Sequence, residues 1–297
     1  EGPRLPISEH QTVAIIGHYA EQARYQGAGS SMVNATRVEH ARDCVAEVGL
    51  RSIGYAPGFE RYGRANATLV HEARTLAKSA DVVLLYLGLD ELSESEGIDR
   101  TSLAVPDNQI ALLDTLHRVN PRIVVVLSCG SVVEMPWIDR ASAVVHGYLS
   151  GQAGARAMLR VIAGKVNPSG KLAETYPMHL EDTPSVRHFP GGQATVEYRE
   201  GPFVGYRYYQ SRGVQVLFPF GHGLSYTSFA YSDVQVSDRG VSFSIENTGA
   251  VPGAEVAQLY VGLPESRPYR PAKELKGLAK VFLAPGDVQR IEIPFED

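Results

Sequence analysis

The chain has 297 residues, 44% of them hydrophobic and 21% charged, with a formal net charge of −5 and a pI near 6.0. At ~150 residues per domain that length suits two domains, each large enough to bury a core. The mild acidity argues against a phosphate-backbone partner, and no apolar run approaches the ~18 to 20 residues of a membrane span, so nucleic acid and membrane are excluded as partners.

Over residues 12–180, strand and helix signals alternate. Val13–Gly17 is a short apolar run ending in Gly, as a buried parallel strand would. A helix is predicted over Val38–Val48, closed by Gly49, and the next strand over Ser52–Tyr55. Thr68–Ser79 has helical spacing. Asp81–Gly88 is the clearest strand, and Pro106 opens a helix to about His117, where Pro is tolerated in a first turn. Arg122–Ser128 and Ala143–Tyr148 are further strands, and Ala153–Ile162 is a helix before Gly164. Five strands interleaved with helices predict an α/β, doubly wound, mostly parallel sheet over residues 1–178.

Residues 179–228 lack sustained periodicity but are rich in Gly, Pro and Tyr. A disordered linker would carry few aromatics, so this stretch is expected to be an ordered connector packed against a domain, with Tyr206, Tyr208 and Tyr209 as packing residues. From Phe229 the pattern is all β: Val234–Val236, Val241–Ile245, Val256–Val261, Leu275–Leu283 and Ile291–Pro294 alternate at period two, punctuated by Asn247-Thr248-Gly249, Pro252-Gly253 and Pro285-Gly286. Residues 229–297 therefore predict an immunoglobulin-like or fibronectin III-like sandwich, with five strands where about seven make a complete one. The chain begins at Glu1 without a signal-like segment and stops at Phe295-Glu296-Asp297 directly after a strand-like run. It reads as a fragment or processed chain, and the compartment stays open.

Five carboxylates, Asp90, Glu91, Glu94, Glu96 and Asp99, fall within ten residues just past the strand that ends at Gly88. In open α/β sheets ligands sit beyond the carboxyl ends of strands. A run of charge is ordinarily a solvated loop; its functional reading is a general acid/base whose pKa is raised by neighbouring negative charge and partial burial.

Other motifs carry less. Gly27-Ala28-Gly29-Ser30-Ser31 lacks the third Gly of a dinucleotide loop and lies too far beyond Gly17, which counts against a nucleotide-dependent oxidoreductase. Ser128, Ser131 and Ser150 form no nucleophile elbow. His71-Glu72-Ala73-Arg74 lacks the second His of a zinc protease. No metal or cofactor is called for. Trp137 is expected to be a packing residue, and Cys44 and Cys129 two buried thiols. Asn34-Ala35-Thr36 and Asn66-Ala67-Thr68 match the glycosylation pattern, which is short enough to arise by chance.

Glu94-Ser95-Glu96-Gly97-Ile98-Asp99-Arg100, followed by Leu103-Ala104-Val105-Pro106 and Gln109, resembles the acid/base loop of family 3 glycoside hydrolases, the β-glucosidases, β-xylosidases and relatives. Val13–Gly17 with Gly27–Ser31, Asn167-Pro168-Ser169-Gly170-Lys171-Leu172, Phe218–Tyr226 and Lys273-Glu274-Leu275-Lys276-Gly277-Leu278 are similar to further blocks of that family in its order. The resemblance implies a retaining exo-β-glycosidase, which places two carboxyl groups ~5 Å apart across the scissile bond of a terminal β-linked sugar. It implies a nucleophile Asp on a (β/α)8 barrel, a partner domain or chain that this sequence does not hold. It also implies an acid/base Glu on a loop of the α/β sandwich. The Glu directly before Gly and three residues before Asp-Arg is Glu96; Glu94 is the fallback, and Asp99 and Arg100 are expected to pair and shape the loop. The chain alone is then not expected to turn over its β-glycoside or oligosaccharide substrate. The rival reading is a non-catalytic carbohydrate-binding or scaffold module derived from such an enzyme.

Overall fold

The computed structural model describes residues 5–63, 66–192, 194–263 and 270–295. The chain divides into two compact units, Glu1–Val166 and Asn167–Asp297.

The first unit alternates β1 (Thr12–Ile16), α1 (Ala41–Cys44), β2 (Arg51–Ala56), α2 (Ala67–Ser79), β3 (Val82–Gly88), α3 (Asp107–His117), β4 (Ile123–Ser128), β5 (Ala143–His146) and α4 (Gly154–Ile162). The five strands form one sheet in the order β2-β1-β3-β4-β5, and every pairing is parallel. Parallel strands need crossover helices, and helices on both faces bury both sides of the strand. All seven residues of β3 are accordingly buried. Leu84, Leu85 and Leu87 pack in a core that also holds Leu112, Leu113 and Leu116 of α3, each contributing about 1.5–3 kcal/mol by burial.

The α/β expectation is met, with one local difference. Where a helix was expected over Val38–Val48, α1 spans only Ala41–Cys44, followed by a 3-10 turn at Ala46–Val48. The late start has a cause: the Glu39 amide donates to the Gln152 carbonyl at 2.9 Å and His40 is extended. Gly49 closes the turn at φ +85°, a conformation that favours a residue without Cβ. Asn66 caps α2 through its side chain, accepting from the amides of Thr68 and Leu69. That cap accounts for the Asn without invoking glycosylation.

The second unit begins with a short antiparallel pair, β6 (Tyr176–Pro177) and β7 (Val216–Phe218), with α5 (Tyr206–Arg212) between them in the chain. Five longer strands follow: β8 (Phe229–Val236), β9 (Gly240–Asn247), β10 (Gly253–Val261), β11 (Glu274–Leu283) and β12 (Val288–Pro294). They form two antiparallel sheets, β10-β11 and β12-β9-β8. Val241, Phe243, Ile245, Ala257, Val281, Leu283, Ile291 and Ile293 make their shared core, alternating along each strand as half-buried sheets require. Asn247 is buried there with its polar atoms engaged: it donates to the carbonyls of Val251 and Leu283 and accepts from Thr227 and Gly249.

The aromatic connector packs within this unit. Tyr206 lies 4.8 Å from Phe220 and 5.7 Å from Tyr260, ring centroid to centroid, and its hydroxyl accepts from the Leu275 amide at 2.7 Å. Trp137, Cys44 and Cys129 are all buried in the first unit. Among the described residues no helix is long and apolar enough to cross a membrane.

Candidate active site

Because all five strands of the first unit run parallel, the loops after β1, β3 and β4 leave the same edge of the sheet. In the order 2-1-3-4-5 the winding reverses between β1 and β3, and the crevice there is where such sheets bind ligands. The acidic loop follows β3. Gln109 of α3, fully buried, fixes its root: the side chain donates to the Gly88 carbonyl and accepts from the Gly88 amide, both at 2.9 Å.

The first carboxylates are held inward. Asp90 is buried and accepts from the amides of Leu92 and Ser93, each at 2.8 Å, which closes a turn. Glu91 takes a forked contact from Arg61 at 3.1 and 2.5 Å and a bond from the Tyr62 hydroxyl at 2.7 Å. Burial pushes the Glu91 carboxyl up, but the Arg61 and Tyr62 hydrogen bonds outweigh it and leave it below its ordinary value. Glu94 accepts from the Gly130 amide at 2.7 Å and the Ser131 hydroxyl at 3.1 Å, and lies 3.5 Å from Arg100 and 3.6 Å from Arg24. Arg24, 3% exposed, donates to the carbonyls of Leu89, Glu94 and Gln26. The loop is thereby fastened to the loop after β4 through Glu94 and to the loop after β1 through Arg24.

Glu96 is placed differently. Its side chain is exposed, and its Oε2 accepts from both the amide (2.9 Å) and the hydroxyl of Ser30. Ser30 belongs to the Gly27–Ser31 run, which forms a 3-10 turn at Gly29–Ser31. Gly29 has φ +80°, and a Cβ there would stand 2.9 Å from Glu96 Cβ, so this close approach requires glycine. The Ser30 hydroxyl, then the Ser30 amide, hold the Glu96 carboxyl below the ordinary carboxylate value. This corrects the expectation of a pKa raised by neighbouring charge and burial: Glu96 is open to solvent, and hydrogen bonds to its charged form dominate.

Asp99 and Arg100 do not form the expected pair. Asp99 is exposed, while Arg100 turns to Glu94, to the Ser131 hydroxyl at 2.7 Å and to the Val132 carbonyl at 3.2 Å. Arg24, Ser30, Arg61 and Ser131 are the loop's partners that sequence reasoning did not assign. They lie 30 to 70 residues from the carboxylates they hold. Only Ser30 and Ser131 stood in stretches already singled out.

At the end of β5, His146 faces the Leu127 carbonyl at 3.3 Å, and burial pushes its pKa down to about 4, with that carbonyl and then Glu94 opposing. Among the described residues no group of His, Cys, Asp and Glu is arranged to hold a metal ion. An open cavity of about 360 Å³ lies in the second unit, bordered by Arg187, His188, Phe189, Thr195 and Glu197. Its lining holds one carboxylate, Glu197, against the five of the acidic loop.

A five-stranded parallel sheet carrying a held carboxylate at its switch point defines an α/β domain whose acidic loop lies where such sheets bind ligands. Residues 1–226 match the glycosyl hydrolase family 3 C-terminal domain, and residues 255–297 match a fibronectin type III-like domain. The chain belongs to glycosyl hydrolase family 3, of which it is a C-terminal portion. It is 44% identical over 298 residues to thermostable beta-glucosidase B of Acetivibrio thermocellus, covering 97% of this chain and 40% of that protein. It is 42% identical to an exo-α-(1→6)-L-arabinopyranosidase of Bifidobacterium breve, covering 98% and 39% respectively. The crystal structure of a Bifidobacterium adolescentis family 3 beta-glucosidase superposes with a TM-score of 0.94 at 43% identity, over 99% of this chain and 44% of that one. The chain thus spans about two fifths of the length of the curated relatives it matches.

Proposed function

We propose that this chain is the acid/base-bearing portion of a retaining exo-β-glycosidase of β-glucosidase type, with Glu96 as the acid/base and the nucleophile Asp on a (β/α)8 barrel outside these two units. The observation that carries the reading is the placement of Glu96: the one carboxylate of the Glu94–Arg100 motif that is both exposed and held by hydrogen-bond donors, at the switch point of the sheet. Glu94 has the sequence context of an alternative, but its carboxylate is taken up by Gly130, Ser131, Arg24 and Arg100.

In the first half-reaction the nucleophile bonds to the anomeric carbon while protonated Glu96 gives its proton to the departing glycosidic oxygen. In the second, Glu96 as carboxylate takes a proton from the water that attacks the same carbon, and the nucleophile leaves with its bonding pair. The nucleophile's charge raises the Glu96 pKa before the first step, and its loss on forming the ester lowers it before the second. Without the barrel the covalent step has no nucleophile, so the chain alone is inactive. The identities to a beta-glucosidase and to an arabinopyranosidase are nearly equal, which supports sugar selection outside this portion.

The test is Glu96→Gln in the full-length enzyme. Turnover of a phenyl β-glucoside falls by about 10²–10⁴, and azide restores turnover of a dinitrophenyl glycoside by capturing the glycosyl-enzyme. Near-normal turnover refutes the assignment. An azide-rescued loss in Glu94→Gln alone moves the role two residues.

A further inference from the structure

The Glu96 carboxylate has two distinct oxygens. Oε2 receives both Ser30 donors, and among the described residues no hydrogen bond reaches Oε1. The contact joins loops 66 residues apart in the chain, and Gly29 at φ +80° provides the clearance for it. Ser30 is exposed and supports no part of the core. A serine there, bonded through main chain and side chain to one oxygen of an exposed glutamate, needs a reason other than folding.

We propose that Ser30 is a positioning residue for the acid/base: it grips Oε2 of Glu96, aims Oε1 at the reacting oxygen, and favours the carboxylate needed as base in the second half-reaction. This deepens the function proposed above and rests on Glu96 being the acid/base. Ser30 exchanges no proton with substrate. In deglycosylation the water proton passes to Glu96 Oε1, the water oxygen bonds to the anomeric carbon, and the bond to the nucleophile breaks, while Ser30 keeps both hydrogen bonds to Oε2.

The surrounding charges leave this role to Ser30. On the loop of Glu96, Glu94 and Arg100 pair with each other at 3.5 Å, and Asp99 is exposed. On the loop after β1, Arg24 is committed to Glu94 and Glu91. None of these is among the causes that lower the Glu96 pKa, which are the two Ser30 hydrogen bonds.

The experiment uses the full-length enzyme as wild type, Ser30→Ala, Ser30→Thr and Glu96→Gln. Two substrates separate the steps: a dinitrophenyl β-glucoside, limited by deglycosylation, and a phenyl β-glucoside, limited by glycosylation. Ser30→Ala is expected to lower kcat on the dinitrophenyl substrate about tenfold, a fraction of what acid–base catalysis contributes in total, with kcat/KM nearly unchanged. Its Glu96 loses a donor to the charged form, so the basic limb of kcat/KM on the phenyl substrate moves to higher pH. Ser30→Thr, which keeps the hydroxyl, holds the wild-type limb. The proposal is overturned if the Ser30→Ala limb does not move, if its loss is equal on both substrates, or if Ser30→Thr shifts the limb as Ala does. Glu96→Gln reports separately on the underlying assignment: near-normal turnover there refutes Glu96 itself, whatever Ser30 does.

Discussion

The loop after β3 is built in two halves that share a composition and differ in what holds them. In residues 89–94 each carboxylate is matched by fixed donors, namely backbone amides for Asp90, Arg61 and Tyr62 for Glu91, and Gly130, Ser131 and Arg100 for Glu94. In residues 96–99 the side chains are exposed, and Glu96 has Ser30 as its hold. Under the proposed function the difference separates scaffold from reagent. Paired carboxylates set the course of the backbone, and an exposed one within reach of a donor can change protonation without loosening the fold.

That comparison can be broken by measuring stability, with Trp137, the chain's single tryptophan and a buried residue of the first unit, as the fluorescent probe. The largest effect is expected at Arg24. Arg24→Ala removes the buried guanidinium that three carbonyls accept from and one of the two guanidinium partners of Glu94, a loss of about 3 kcal/mol from the polar groups left unmatched. A urea midpoint unchanged from wild type would show that the first half is not fastened as described.

His146 sharpens the comparison through pH. Its folded pKa, about 4, lies below the unfolded value near 6.5, so the unfolded chain binds the proton first as pH falls. The stability it confers is full above pH 6.5 and is lost progressively toward pH 4, by about 2 kcal/mol between pH 7 and 5. Urea titrations at those two pH values should show this slope in wild type and a smaller one in His146→Gln; equal slopes would refute it. The smallest effect belongs to the second half. Glu96→Gln should shift stability by less than about 0.5 kcal/mol. A destabilisation comparable to that of Arg24→Ala would erase the distinction between the halves.

Much of this was legible in the sequence, for reasons that differ by element. β3 and β4 announce themselves because strands buried on both faces must be continuously apolar, and the strands of the second unit do so through alternation. α1 was overestimated because its start is set by a tertiary hydrogen bond from Glu39 to Gln152, which no local pattern encodes. The Glu94–Arg100 motif marks the candidate loop, but its internal pairing differs from what adjacency in the chain predicts. Adjacent Asp99 and Arg100 suggested a pair, whereas the guanidinium reaches Glu94 and the loop after β4. The Gly27–Ser31 run reads as a failed dinucleotide loop and as a block similar to one of the family's. Its contact with Glu96 depends on β1 and β3 being neighbours in the sheet, a fact of topology and not of spacing.

The complete burial of β3 between β1 and β4 has a consequence for motion. Amides in such a central strand exchange with solvent only when the whole domain opens, so the platform from which the acidic loop springs is among the slowest parts of the molecule. Under the proposed function, the loop that carries Glu96 is therefore anchored at a point that stays fixed through many turnovers.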